Sequence, residues 1–220
     1  PSGFRGSLES TNSVIIGDNI TNLNSQSAYT AMAWIKQPDK DDSGQSSTAW
    51  VVGNPDSFKI LYHQDGYIKW VIGNWAGTLV SNSDWYSKYG EWNHVAGTWD
   101  KDVDGGNLYL YVNGQFVLSG AATTDATSDT GANNMFASKA DAGGDPFPGE
   151  IMDFKAFNSQ LSATEVALMA SEVNADISLI PSSSGSCQLW YKMDDASDTL
   201  MTDSSGKGND GPAAGVKSEI

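Results

Sequence analysis

Cysteine is nearly absent from the sequence. Cys187 is the only one, which excludes a disulfide bond within the chain. A chain of 220 residues can nevertheless bury enough apolar surface to fold without a covalent cross-link. An isolated thiol without neighbours that lower its pKa is expected to behave as a small buried apolar side chain. The sequence therefore predicts a fold held together by its core.

Basic residues are also scarce: 12 Lys and Arg stand against 27 Asp and Glu, for a formal net charge of −15. A surface of this charge repels the phosphates of nucleic acids and of anionic membranes, so neither is expected as a partner. No apolar run approaches the roughly 18 residues of a membrane-spanning helix. The N-terminal PSGFRGSLES lacks the features of a signal peptide, and the chain resembles a module cut from a larger multidomain protein.

Turn-forming residues, by contrast, are abundant. The chain has 23 glycines, many Ser, Thr, Asn and Asp, and eight tryptophans. Alternating apolar and polar runs recur about every ten residues between turn signals such as Asp65-Gly66 and Asn113-Gly114, a spacing typical of antiparallel β-sandwiches. Strands are predicted over 13–17, 28–37, 48–54, 57–63, 67–74, 78–82, 92–100, 107–120, 135–140, 150–158 and 187–195.

The last part of the chain holds the one predicted helix, over 161–173, where Ser162 and Glu165 form a capping-box pattern. In the strand before it, alternation predicts that Ile151, Asp153 and Lys155 share one face. The opposite face, with Met152, Phe154 and Ala156, is predicted to be the apolar one.

Three segments carry a resemblance to a known family. They are EWNHVAGTWD followed by LYLYVNGQ, then PFPGEIMDFKAFNSQLSATEV, then LWYKMDDASDTLMTDSSGKGNDG. Together they resemble the laminin G-like and pentraxin-like domains of the concanavalin A-like lectin/glucanase superfamily. The resemblance implies an all-β, jelly-roll-like antiparallel β-sandwich with one short helix, in which Trp34, Trp92, Trp99 and Trp190 are core residues and His94 is structural.

The third segment departs from the family in its position, because it usually opens the domain and here closes the chain. It either completes this sandwich as a permuted strand element or begins a second, truncated repeat. The N-terminus contains no copy of it, which favours a single domain over 1–220 completed by 187–220.

Calcium is the expected cofactor. The turn DSSGKGNDG offers oxygen ligands from Asp203 and Asn209, and the resemblance implies that such a turn contributes to a calcium site with Asp153 and Asp194 nearby. The alternative is a plain turn without an ion. The segment 100–106, DKDVDGG, begins like a calcium-binding loop but lacks its final Glu, which favours a hairpin turn.

Ligand binding is predicted for two polar, loop-like regions. Trp75, Trp85 and Tyr86 lie where exposed aromatic rings can stack on sugar rings, and the alternative is that they fold back onto the sandwich. Asp141 and Asp145 lie on a glycine-rich loop where a calcium ion can hold two sugar hydroxyls.

Catalysis is not expected. Glycosidases of this fold need two close carboxylates, and Glu150 and Asp153 are spaced to point to opposite faces of a strand. The sequence predicts a calcium-dependent, carbohydrate-binding, monomeric module of a secreted or cell-surface adhesin. Two alternatives stay open: a protein-interaction or spacer module, and an accessory domain of a polysaccharide-degrading enzyme.

Overall fold

The computed structural model describes residues 4–6, 14–17, 20–24, 26–36, 48–54, 57–63, 66–73, 75, 77–81, 90–122, 135–137, 145–147, 149–193, 200–212 and 216–217. Strands dominate these residues, as expected from segments rich in β-branched and aromatic side chains. They form two main sheets that face each other across one core, which confirms the predicted antiparallel β-sandwich.

The larger sheet is built around the long pairing of its two central strands, Ala28–Lys36 and Trp92–Asp100. In spatial order the sheet contains β10 (Gln115–Ala121), β9 (Asn107–Val112), β8 (Trp92–Asp100), β3 (Ala28–Lys36), β13 (Glu150–Phe157), β1 (Phe4–Gly6) and β17 (Val216–Lys217). An additional strand, β14 (Cys187–Tyr191), pairs with the second half of β13. The C-terminal segments β14 and β17 therefore lie in the same sheet as the N-terminal β1.

The smaller sheet covers the other side of the core. In spatial order it contains β2 (Val14–Gly17), β11 (Met135–Ala137), β4 (Thr48–Asn54), β5 (Phe58–His63), β6 (Ile68–Ile72) and β7 (Gly77–Val80). A short strand, β12 (Asp145–Pro146), pairs with β4 in parallel. A separate ribbon joins β15 (Leu200–Met201) to β16 (Gly211–Pro212).

Aromatic side chains fill the space between the sheets. Tyr29 stacks on Trp99 with ring centroids 5.9 Å apart and touches Phe58 at 5.0 Å. The ring of Trp70 crosses the core, and its indole N–H donates to a backbone carbonyl of the larger sheet at 3.2 Å. Gly97 makes this crossing possible, since a Cβ at that position would collide with the Trp70 ring. The predicted core position of Trp99 is confirmed.

The outer face of the larger sheet is covered by the helix and the segment that follows it. The helix α1 (Ala163–Met169) buries Val166 and Met169 against this face. Its capping box is confirmed: Ser162 Oγ accepts from the Glu165 N–H at 3.3 Å, and a Glu165 carboxylate oxygen accepts from the Ser162 N–H at 2.8 Å.

The helix is shorter than the predicted 161–173. Ser171 Oγ donates to the carbonyl of Leu168 at 2.7 Å, a side-chain bond that competes with helical pairing. Asn174 then takes a left-handed φ of 60°, which redirects the chain. Short 3-10 turns at Ile177–Leu179 and Ser184–Ser186 complete the cover.

A β-bulge in β13 corrects the predicted alternation of that strand. Asp153 has a φ of 52°, and the pairing with β3 shifts between Met152 and Lys155. The extra residue places Ile151 in the core with Phe154 and Ala156, so Ile151 does not share the face of Asp153 and Lys155 as predicted.

Candidate functional site

Trp75 stands at the turn that joins β6 to β7. It is 53% exposed and has a φ of 66°, a left-handed conformation that a bulky side chain rarely adopts. Its N–H donates to the carbonyl of Gly73 at 2.9 Å, which closes a tight turn. Strained residues of this kind persist only where the surrounding structure holds them in place, and they are concentrated at binding sites. The turn thus presents a large aromatic ring to solvent in a defined orientation.

A buried lysine anchors this ring. Lys59 is only 2% exposed, and its Nζ lies 5.0 Å from the centroid of the Trp75 ring and 5.3 Å from that of Trp50. The same Nζ donates to the Gly73 carbonyl at 3.4 Å. A cation over an aromatic face is attracted to the ring, more strongly where water is excluded. Lys59 therefore ties the Trp75 turn to the sheet.

The anchored ring lies on the outward face of the smaller sheet. Trp50 on β4, Leu61 on β5 and Val71 on β6 form an apolar cluster there, on the side opposite the main core. Lys69 of β6 lies next to Leu61, and its partial burial lowers the pKa of its amine. Among these side chains, Trp75 is the exposed one, because Lys69 is half-buried and the others are buried: Trp50, Leu61, Val71 and Lys59.

Such a face is suited to binding a sugar ring. One side of a pyranose is lined with C–H groups that can lie flat against an indole, while its hydroxyls remain free for polar partners. The exposed ring of Trp75 offers the apolar half of this recognition.

The other predicted ligand residues are only partly described. Trp85, Tyr86 and Asp141 lie outside the described residues. The backbone of Asp145 forms β12, which pairs with β4 so that Pro146 is opposite Trp50. The strand of Asp145 and the strands that flank Trp75 therefore belong to the same sheet.

Asp203, predicted as a calcium ligand, is buried in a network of hydrogen bonds. One carboxylate oxygen accepts from the N–H groups of Trp190 at 3.0 Å and Ser205 at 2.9 Å. The other accepts from Ser205 Oγ at 2.8 Å and from the Asn209 N–H at 2.9 Å. A carboxylate has about four acceptor positions. Four donors within the protein therefore occupy all the acceptor positions of the Asp203 carboxylate. A carboxylate occupied in this way does not fit the role of a metal ligand.

Asp153 is similarly occupied on the outer face of the larger sheet. Its carboxylate is paired with the buried ammonium of Lys155 and accepts from Trp190 Nε1 at 2.8 Å and from the Asn174 N–H at 2.8 Å. The nearby Lys155 loses basicity through burial, and Asp153 partly restores its pKa. Asp153 and Lys155 therefore form a buried ion pair on the covered outer face of the larger sheet, and the Asp153 carboxylate has hydrogen-bond donors on both oxygens.

Asn209 is committed to the same turn as Asp203. Its side-chain amide donates to the Gln188 carbonyl at 2.7 Å, and its own carbonyl accepts from the Tyr191 hydroxyl at 2.6 Å. Asp194 lies outside the described residues. Within the part of the chain that is described, no three His, Cys, Asp or Glu side chains are close enough together to hold a metal ion.

The anchor formed by Lys59 and Trp50 was not predicted from the sequence. Lys59 lies on the face of β5 that points away from the core. The contact between Lys59 and Trp75 depends on where the β6–β7 turn lies relative to β5, and no local sequence pattern predicts that position. A lysine inside a strand of a strongly acidic chain was the one available signal.

The sequence matches a laminin G-like family model, described as the concanavalin A-like lectin/glucanases superfamily, over residues 8–167. The chain belongs to this superfamily. No curated protein matches the chain. Among helices in the described residues, none is long and apolar enough to cross a membrane.

Several solved structures have a fold similar to that of this chain. One is a candidate carbohydrate-binding protein from Bacteroides ovatus, with a TM-score of 0.72 and 16% identity. The match covers 98% of this chain and 58% of that one. The chain therefore spans less than two thirds of that relative. The CBM40 of an IT-sialidase from Ruminococcus gnavus, bound to α2,3 sialyllactose, has a TM-score of 0.60 and 16% identity over 78% of this chain and 97% of that one.

A third similar structure is domain 4 of AbnA, a GH43 extracellular arabinanase from Geobacillus stearothermophilus, in complex with arabinotriose. Its TM-score is 0.50 at 25% identity, over 68% of this chain and 69% of that one. At these identities the likenesses establish the shared fold.

Proposed function

We propose that this chain is a non-catalytic carbohydrate-binding module, and that the Trp75 face of the smaller sheet stacks against a sugar ring. The observation that carries the proposal is the ring of Trp75, exposed in a strained turn and anchored by Lys59. Membership of a lectin-containing superfamily supports it. The structures of similar fold whose names include sialyllactose and arabinotriose point in the same direction.

The test is a glycan-array screen of the wild-type chain beside Trp75→Ala. Covering the exposed half of an indole removes about 100 Å² of apolar surface from water, which is worth about 2.5 kcal/mol or about 70-fold in affinity. We expect the wild type to retain a defined set of glycans and Trp75→Ala to lose them. Leu200→Ala, which removes a comparably exposed apolar side chain from the β15–β16 ribbon, is the matched control.

Retention of the same glycans by Trp75→Ala would contradict the assignment of this face. Failure of the folded wild type to bind any glycan would contradict carbohydrate binding altogether, and would favour a protein-interaction or spacer module.

Calcium dependence is a separate proposal. Because Asp203 and Asp153 have their carboxylates occupied, we propose that any calcium contribution comes through the acidic loop of Asp141 and Asp145. Repeating the array with excess chelator tests this. Loss of the glycan signal supports a calcium-bridged ligand. An unchanged signal contradicts it and means that the glycan binds through Trp75 without calcium.

The setting of the module is proposed to be extracellular, within a larger surface adhesin. A specific observation favours a second setting, as an accessory domain of a glycan-degrading enzyme: two structures of similar fold are named as parts of a sialidase and an arabinanase. The full-length gene distinguishes them, since the second setting requires a catalytic domain in the same chain.

A further inference from the structure

A second aromatic group lies on the opposite side of the sandwich, where Phe116 is exposed, Tyr109 is half-buried and Tyr111 is buried. Tyr109 and Tyr111 of β9 and Phe116 of β10 form a cluster on the outer face of the larger sheet, at its edge. The Phe116 ring centroid lies 6.4 Å from that of Tyr109 and 6.1 Å from that of Tyr111. Phe116 is 52% exposed, nearly as much as Trp75. We call these three residues the edge aromatic cluster.

A β-bulge presents Phe116 to solvent. Phe116 pairs with Tyr111 on the outer face, but the pairing shifts by one residue before Leu118, which pairs with Leu110. Such a bulge re-aims the neighbouring side chain and disturbs the ladder. It also makes the edge strand a poor template for another strand, which argues against a second copy of the chain pairing here.

Polar groups border the cluster on one side. The Tyr109 hydroxyl donates to an Asp104 carboxylate oxygen at 2.7 Å. This hydrogen bond is the main reason that the pKa of Tyr109 is raised, and the Asn107 side chain also hydrogen-bonds to the hydroxyl. Asp104 sits in the β8–β9 turn with a left-handed φ of 48°. Tyr109 therefore links the exposed Phe116 ring, 6.4 Å from its own, to the Asp104 carboxylate, an acceptor suited to hydroxyl groups.

The same turn, within 100–106, begins like a calcium-binding loop but is predicted to be a hairpin turn, and its geometry agrees with the hairpin. Asp100 accepts from the N–H of Asp102 at 2.8 Å, which is a local turn-forming bond, and Asp104 is directed to Tyr109. The carboxylate of Asp104 is therefore part of the border of the edge aromatic cluster.

The size of the cluster fits a small ligand. Half of a phenylalanine side chain offers about 100 Å², whereas each partner in a stable protein interface buries about 800 Å². A single sugar ring matches the smaller area, and its hydroxyls match Asp104 and Asn107. The charge of Asp104 disfavours sugars that carry a carboxylate.

We propose that the edge aromatic cluster is a second carbohydrate-binding site, which stacks a neutral sugar ring on Phe116 and hydrogen-bonds its hydroxyls to Asp104. The inference rests on the proposed carbohydrate-binding function and adds a site on the other sheet. A chain with two sites binds glycans on a surface with greater avidity than either site alone.

The experiment is an amide NMR titration of the whole chain with neutral probes (arabinotriose, lactose and chitotriose) and with α2,3 sialyllactose as the acidic probe. We expect at least one neutral probe to shift the amides of residues 104–117, and sialyllactose to leave them in place. Phe116→Ala should weaken this binding at least about tenfold, and Phe116→Trp should retain it. Leu179→Ala, a comparably exposed apolar residue of the cover, is the control and should change nothing.

The outcomes separate the two proposals. If a probe shifts the Trp75 indole but no neutral probe shifts residues 104–117, the second site is wrong and the proposed function stands. Unchanged binding by Phe116→Ala also overturns the second site. If residues 104–117 respond to a neutral probe in both the wild type and Trp75→Ala, the second site holds even if the Trp75 face does not bind. Silence at both surfaces contradicts both proposals.

Discussion

Replacing Asp203 with Asn is expected to destabilise the protein strongly, although the side chain keeps its size. The four donors to Asp203 approach in two pairs, one pair on each oxygen. An amide group keeps only one of these oxygens. Whichever way it is oriented, its NH₂ faces two donors, and at least one backbone N–H near a buried side chain loses its acceptor.

The magnitude follows from those lost bonds. A hydrogen bond to a charged group contributes about 1.5–3 kcal/mol, so the loss of two gives about 3 kcal/mol at the lower end. In a chain of this length that corresponds to a fall in Tm of about 6–12 °C. Asp102→Asn is the matched control, because this exposed turn residue receives no hydrogen bond on its carboxylate from the described residues.

The assay is thermal unfolding followed by circular dichroism, with added calcium and with excess chelator. We expect the Asp203→Asn deficit to be the same in both conditions, since hydrogen bonds and not an ion occupy the carboxylate. A deficit no larger than that of Asp102→Asn would refute the hydrogen-bond account. A wild type that falls to the Asp203→Asn midpoint in chelator would identify Asp203 as a metal ligand after all.

Two further predictions concern a buried histidine of the larger sheet and the cap of the helix that covers it. Burial of His94, helped by the positive charge of Lys155, lowers the pKa of its imidazole from 6.5 to about 3. Between these values the unfolded chain binds a proton that the folded chain does not, so stability falls as pH falls, and His94 accounts for about 2 kcal/mol between pH 7 and pH 5. The free energy of unfolding of His94→Gln, measured in urea, should lose that part of its pH dependence. The same dependence of this free energy on pH in wild type and variant would argue against a buried neutral imidazole. Ser162→Ala removes the helix cap and should lower stability by about 1 kcal/mol in the same assay, whereas exposed Thr164→Ala should not; equal effects would show that the cap contributes nothing.

The parts of the fold that the sequence predicted well are those fixed by local chemistry. Asn113-Gly114 was expected to form a two-residue hairpin, and both residues take the positive φ that such a turn requires, 50° and 73°. The capping box of Ser162 is another such case. The strand predicted over 57–63 is likewise present as β5 (Phe58–His63).

The parts that escaped prediction depend on contacts between distant segments. The short strands β1, β12 and β17 carry almost no pattern and exist only because β13, β4 and β1 offer them partners. The bulge at Asp153 moves Ile151 into the core, and alternation alone contains no sign of that extra residue.

The candidate site shows the same division. Trp75 was predicted from its polar, loop-like setting, and it is exposed as that setting implies. The acidic turn at Asp203 has the composition of a calcium site, yet composition does not reveal that backbone N–H groups and a serine hydroxyl already occupy the carboxylate. Whether acidic residues bind a metal or bind their own backbone is decided by the path of the chain.

The most direct test of carbohydrate binding at the Trp75 face is the indole N–H resonance of Trp75, assigned by its disappearance in Trp75→Phe. The spectrum is recorded while a glycan retained on the array is added to the wild-type chain. Stacking of a sugar on the exposed ring predicts that this resonance shifts in a saturable way while that of the buried Trp70 does not. A glycan that binds the chain and leaves the Trp75 resonance unmoved would contradict the account.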